Sequence, residues 1–288
     1  MKTIVVLTDF SDIALHAAET SVMLSEKLNT DLFLFNAYIN VPVIPQYAAG
    51  PWVVDEIMQW KVESDQKLDK LADHLHRIIK HKDQHPHKPS IHYMAGEGNL
   101  GENMVDIIND KDVELIVMGA RADSNLHSIF NSSDTSSVIN HTTRPVLVVP
   151  LGADLKQLNK VIFATDFDSE DMKAIHYLVK LGKLFDFELE VVHINLLSEK
   201  EIPKTEREMS FIREVTRLKY SKITYKEVKG KDVIDRLHAL CNETEADLLA
   251  MVHYQHSYFT RLFQHSTTKK ALSDQKTPLL IFPSNLED

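Results

Sequence analysis

One cysteine, Cys241, is all the chain holds in 288 residues. A disulfide framework within the chain is therefore impossible, and a cysteine-rich zinc site is excluded. Positive charge is also short: 32 Lys and Arg stand against 42 Asp and Glu, a formal net charge of -10. A protein of that sign repels nucleic acid and anionic membrane at a distance. No apolar run approaches the roughly 20 residues that a spanning helix needs. The apolar opening, Ile4 to Leu7, meets Asp9 almost at once and is too short for a signal peptide. No serine elbow appears, and no pair of acids can be tied to one site, so an enzyme has no positive support. The expectation is a soluble, cytoplasmic, non-enzymatic chain without nucleic-acid or membrane partners.

What is present is a repeat, and repeats are sought before local motifs. Thr8-Asp9-Phe10 recurs as Thr165-Asp166-Phe167, 157 positions on. The same offset carries Leu24 onto Leu181 and Leu28 onto Phe185. Further along, Glu114 to Met118 matches Asp247 to Met251, and Pro145 to Pro150 matches Pro278 to Pro283, both 133 positions on. The second copy is thus shorter by 24 residues, lost between the second and fourth strands. The boundary falls in the polar stretch Leu151 to Asn159. At roughly 100–200 residues per domain, two domains fit the length; we place them at 1–150 and 158–288.

Each copy alternates short β-branched apolar runs with helical patterns. In the first copy the strands are read at 4–8, 32–38, 91–95, 114–118 and 146–149. Leu15, Ala18, Val22 and Leu28 share a face of the first helix. Ile57, Leu68, Leu71, Leu75, Ile78 and Ile79 form the stripe of a long second one, and Met104, Ile107 and Ile108 mark a third. Such alternation predicts an α/β fold: two tandem, doubly wound, parallel five-stranded Rossmann-like sheets. Ligands of such sheets sit beyond the carboxyl ends of the strands. The apolar runs Val146 to Val149 and Leu279 to Phe282 would leave an open edge if they were terminal, and pairing them as a pseudo-dimer removes it.

Beyond the fourth strand of the first copy come Gly119-Ala120-Arg121-Ala122, nine residues, and Ser132-Ser133. Together with Thr8-Asp9-Phe10-Ser11 and the closing Pro145 strand, this resembles the universal stress protein family in its tandem two-domain form. That family carries glycine, two residues, glycine, nine residues, glycine, then serine or threonine at this place. The resemblance implies an adenine nucleotide, ATP or AMP, in the first copy, and a role in stress response. The residues it implicates are Thr8, Asp9, Ala37, Gly119, Ala122, Ser132 and Ser133. Ala122 and Ser132 stand where the family has glycine, and an added methyl group narrows a phosphate cradle. In the second copy Val252, Gln255 and His265 take the glycine positions and only Ser266 remains. Tyr254, Tyr258 and Phe259 crowd that loop, so it is read as closed to nucleotide. The rival reading is a scaffold with both sites vestigial, meeting an unknown protein partner; a further homodimer is compatible with either.

Other features have structural readings. Asp9 and Asp166 each follow a strand and can cap the next helix as well as hold a ligand. Gly96-Glu97-Gly98-Asn99-Leu100-Gly101 matches the dinucleotide pattern, but such a match alone is weak. The 15 histidines include His74, His76, His81, His85, His87 and His92, read as solvated surface rather than metal ligands. His253 and His256 offer a second metal alternative. Cys241 lies in an apolar helical pattern and is read as core.

Overall fold

The computed structural model describes residues 2–38, 51–81, 87–120, 133–197, 204–253 and 277–287, with 51–57, 81 and 133 given by their backbone alone. The first repeat runs β1 (Thr3–Leu7), α1 (Asp12–Leu28), β2 (Asp31–Tyr38), α2 (Pro51–His81), β3 (Ile91–Glu97), α3 (Leu100–Asp110), β4 (Val113–Gly119), α4 (Ser133–His141) and β5 (Val146–Val149). The second runs β6 (Lys160–Ala164), α5 (Asp171–Phe185), β7 (Glu188–Leu196), α6 (Glu206–Arg217), β8 (Ile223–Gly230), α7 (Val233–Thr244), β9 (Leu248–His253) and β10 (Leu279–Pro283).

The strands form one sheet of ten, ordered β3-β2-β1-β4-β5-β10-β9-β6-β7-β8. Every pairing is parallel except β5 with β10, where Val148, Leu147 and Val146 oppose Leu279, Leu280 and Ile281. The two terminal strands expected to cover one another do so, and they join two five-stranded halves into a continuous sheet. The central strands are apolar on both faces because helices cover both. One core holds Val22, Leu68, Leu178 and Phe211 from α1, α2, α5 and α6. The other holds Met104, Val138 and Leu237 from α3, α4 and α7.

Local signals explain the element ends. Ser11 caps α1 by accepting the Ala14 N–H, and Asn29 ends the helix at φ 53. Thr205 and Glu208 form a reciprocal capping box on α6. The shortening of the second copy lies between its second and third strands: α2 has 31 residues and α6 has 12. The polar connector is not loose. Ala153, Leu155 and Leu158 are buried in it, and His16 Nε2 lies 2.8 Å from the Ala153 carbonyl oxygen. The matched acids at the strand starts are both structural. Glu114 is buried and pairs with Lys2 and, at 3.7 Å, with Lys180 of the other repeat. Asp247 accepts the N–H groups of Asn159 and Lys160 at 2.7 and 2.9 Å.

Candidate functional site

The carboxyl ends of β1, β2 and β4 meet at one rim, and that rim carries Thr8, Asp9, Ala37 and Gly119. The turn after β1 is built by Thr8, whose Oγ1 accepts the Phe10 N–H at 3.0 Å and so holds Phe10 at φ 64. A non-glycine residue in that region is uncommon and needs such support. Asp9 is exposed, and its Oδ1 takes the Ser11 N–H at 3.0 Å and the Ser11 hydroxyl at 2.6 Å. Of the two readings open for Asp9, capping falls to Ser11; Asp9 braces the cap and keeps its other oxygen toward solvent. Ala37 is half-buried near the end of β2. Ser133 is the first residue of α4. Ala122 and Ser132 lie outside the described residues.

Gly119 is explained by packing. A Cβ there would come within 2.8 Å of Ile13 Cγ2 and 3.0 Å of the Ile13 backbone, so the bare residue lets α1 lie against β4. The Gly96-to-Gly101 pattern is likewise structural. A Cβ on Gly96 would meet Phe35 and Asn103, Gly98 sits at φ 94, and a Cβ on Gly101 would strike Ser137 and His141 of α4. Asn99 between them caps α3 and receives the Ser137 hydroxyl at 2.7 Å.

The same rim in the second repeat is covered. Thr165 repeats the turn, with Phe167 N–H to its Oγ1 at 3.0 Å and Phe167 at φ 65. But Phe167 is only 6% exposed. Its ring lies 4.4 Å from the His193 ring, 5.4 Å from Phe211 edge-on and 6.3 Å from Tyr225. Arg207 of α6 closes over it, donating from Nε to the Phe167 carbonyl at 2.7 Å and pairing with Asp168 at 3.2 Å. Beneath, Asp171 is 1% exposed and accepts the Thr165 hydroxyl at 2.6 Å and the Asp168 N–H at 3.2 Å. Burial pushes its carboxyl up to about 7, the Thr165 bond opposing and Asp166 reinforcing the rise. Asp166 keeps one buried oxygen without a partner, and burial, then the Asp168 charge, raise its carboxyl too. The closure read from Val252, Gln255 and His265 is carried among the described residues by a different set. Val252 is buried in β9, while Gln255, His265 and Ser266 lie outside the described residues, as do Tyr254, Tyr258 and Phe259.

Four residues at these rims escaped the motif reading. Asn36 is buried, donates to the Thr8 carbonyl at 2.7 Å and accepts the Ser64 hydroxyl at 2.6 Å. His193, 157 positions on, reaches the Thr165 carbonyl from Nδ1 at 2.9 Å, which makes Nδ1 the protonated nitrogen. Asp171 stands at the same offset from Ala14. That offset was the signal that could have paired them. Arg207 had no such signal, because the shortened segment has no aligned partner.

The remaining candidates do not converge on chemistry. Cys241 is buried, and that burial pushes its thiol up to about 12, far from a nucleophile. His74 bonds Glu19 at 2.7 Å, and His87 lies 3.0 Å from the Thr30 carbonyl oxygen. Burial lowers the pKa of His253. His85 and His256 lie outside the described residues, and the side chain of His81 is among those not described. Among the described residues no cluster of His, Cys, Asp or Glu is placed to hold a metal ion. Among them, too, no helix is long and apolar enough to cross a membrane.

Comparison with known proteins agrees with the architecture. The profile of the universal stress protein family matches residues 1–150 and again 157–283. A universal stress protein of Methanocaldococcus jannaschii is 28% identical over 150 residues, 51% of this chain and 81% of that one. One from Synechocystis is 23% identical over 297 residues, covering 98% of this chain and all of that one. The crystal structure of an Archaeoglobus fulgidus universal stress protein superposes with a TM-score of 0.70 at 15% identity, covering 98% of this chain and 96% of its own. A putative universal stress protein of Pseudomonas aeruginosa gives a TM-score of 0.56 at 12% identity, over 98% and 93%. With the family's profile matched twice, end to end, on a sheet of two fused halves, the chain belongs to the universal stress protein family as a tandem two-domain member.

Proposed function

We propose that this chain is a non-enzymatic, cytoplasmic stress-response factor whose adenine-nucleotide site, for ATP or AMP, lies in the first repeat alone. The observation that carries the reading is the contrast between two turns of the same design. Asp9 is exposed after β1, whereas its counterpart Asp166 is half-buried with one oxygen fully enclosed, beside a Phe167 that is buried and bonded through its carbonyl to Arg207. Three aromatic contacts at about 0.5–1.5 kcal/mol each must be given up before a ligand enters the second rim. At 1.4 kcal/mol per tenfold, that alone weakens binding roughly ten- to a thousand-fold.

In the first rim, Asp9 accepts a ligand hydroxyl and Thr8 and Ala37 border the base. Gly119, Ala122, Ser132 and Ser133 border the phosphates, with the start of α4 supplying N–H donors. Thermal melting of the whole chain with AMP and with ATP tests the reading. A rise in melting temperature that saturates with nucleotide and is lost in Asp9→Ala supports it. No shift at millimolar nucleotide would favour the second reading, a protein-interaction scaffold, for which Ala122 and Ser132 in place of glycine already speak.

A further inference from the structure

Resting on the reading that the first rim holds a nucleotide, we infer that Trp60 of α2 is the surface on which the base stacks. The rim then selects by the base, a purine before a pyrimidine, and not by the sugar phosphate alone.

Register places the indole there. Two side-chain bonds fix the level of α2 against the sheet. The Ser64 hydroxyl donates to Asn36 Oδ1 at 2.6 Å, near the end of β2. The Tyr93 hydroxyl donates to Asp69 at 3.0 Å, and Tyr93 is the neighbour of Leu34 in the sheet. From Ser64 to Asp69, α2 therefore steps back along β2 from Asn36 to Leu34. That is about 7.5 Å of helix against about 6.6 Å of strand, so the two run antiparallel at nearly equal pace. Trp60 stands one turn before Ser64, roughly 6 Å further out, level with Tyr38, the last residue of β2. By that level β1 has ended, because Leu7 pairs with Phe35, and the Asp9–Phe10 turn has begun.

Helical phase turns the indole toward the rim. Trp60, Ser64 and Lys67 stand at i, i+4 and i+7, on one face of α2. Ser64 is buried on that face, and Lys67 Nζ lies 5.5 Å from the centroid of the Phe10 ring. Leu68, Leu71 and Leu75 continue the face into the core. Met58 and Val62, on the opposite side of the helix, are 62% and 54% exposed. Side chains of a helix lean toward its N-terminus, which carries Trp60 outward past the strand ends. It is half-buried, and among the described residues it packs on neither core. In the second repeat the aromatic of the equivalent helix is spent on closure: Phe211 sits edge-on to Phe167, 5.4 Å away. In the first, the turn's Phe10 meets the Lys67 chain instead. An indole beside the exposed Asp9 offers a flat apolar face to a base while Asp9 takes the sugar hydroxyl. Purines present the larger face for such stacking, and a bare phosphate gains nothing from it.

Calorimetric titration of the whole chain with AMP, together with the emission of W52F, whose sole tryptophan is Trp60, is the test. AMP should quench W52F emission with the midpoint that calorimetry gives, and ribose 5-phosphate at equal concentration should not. W60A should weaken AMP about five- to a hundred-fold, and W60F should recover most of that loss. UMP should bind more weakly than AMP, by a margin that W60A removes. Circular dichroism checks that each variant keeps the fold; if W60A does not, the quench and W60F decide. AMP binding that is lost in Asp9→Ala but leaves W52F emission unchanged, or that W60A does not weaken, overturns the inference and leaves the nucleotide reading standing. An absence of binding heat at millimolar AMP in the wild type overturns both.

Discussion

Asp171 and Ala14 occupy equivalent places after the first strand of each repeat, and the exchange puts an acid where one half of the molecule has a methyl group. The folded carboxyl titrates at about 7, against an ordinary 3.8. The folded state thus holds this proton across a window in which the unfolded chain releases it. Stability from this group is complete below about pH 4 and is lost as pH rises through about 7. In Asp171→Asn, which keeps an oxygen for the Thr165 hydroxyl, that slope should vanish. Melting temperatures measured from pH 4.5 to 8 should fall for the wild type relative to the variant; parallel profiles would refute the burial argument. Gly119 makes the other residue-scale point. The sequence presents it as a phosphate-loop glycine, yet Ile13 already accounts for it. Gly119→Ala should cost about 1–3 kcal/mol in denaturant unfolding with no ligand present. An unchanged midpoint would return the glycine to the ligand alone.

Elements with strong periodicity were legible before any coordinates. The strands of the first repeat begin and end within two residues of where alternation put them, and Leu68, Leu71, Leu75 and Ile79 are the buried stripe of α2. The rim was legible only in part. Thr8, Asp9, Ala37 and Gly119 come together, because strand-end positions follow from strand order alone. Arg207 and Phe211 were not foreseen. Their role depends on how a 12-residue helix, replacing one of 31, leans over the sheet, and side-chain reach of that kind leaves no periodic trace. The capping box makes the lean testable. Thr205→Ala removes the acceptor of the Glu208 N–H at 3.2 Å and should destabilise α6 by about 1 kcal/mol. Hydrogen exchange should quicken in the first turn of α6 and around Phe167, while α2 stays protected. Equal protection in wild type and variant at Phe167 would show that α6 does not hold the plug.

The whole molecule is a single sheet with two unequal rims. Its halves share the β5–β10 ladder, the Glu114–Lys180 pair and a terminal clasp in which Glu287 accepts the Thr143 hydroxyl at 3.1 Å. Cooperative unfolding should follow. Both tryptophans, Trp52 and Trp60, lie in the first repeat, so fluorescence follows that half while far-ultraviolet circular dichroism follows both. The two urea transitions should superimpose, and separated midpoints would show that the halves unfold independently. The inequality of the rims is the central claim, and calorimetric titration of the intact chain with AMP tests it most directly. The account predicts one nucleotide per chain, lost in Asp9→Ala and retained in Asp166→Ala. Two nucleotides per chain, or one that survives Asp9→Ala and is lost in Asp166→Ala, would contradict it.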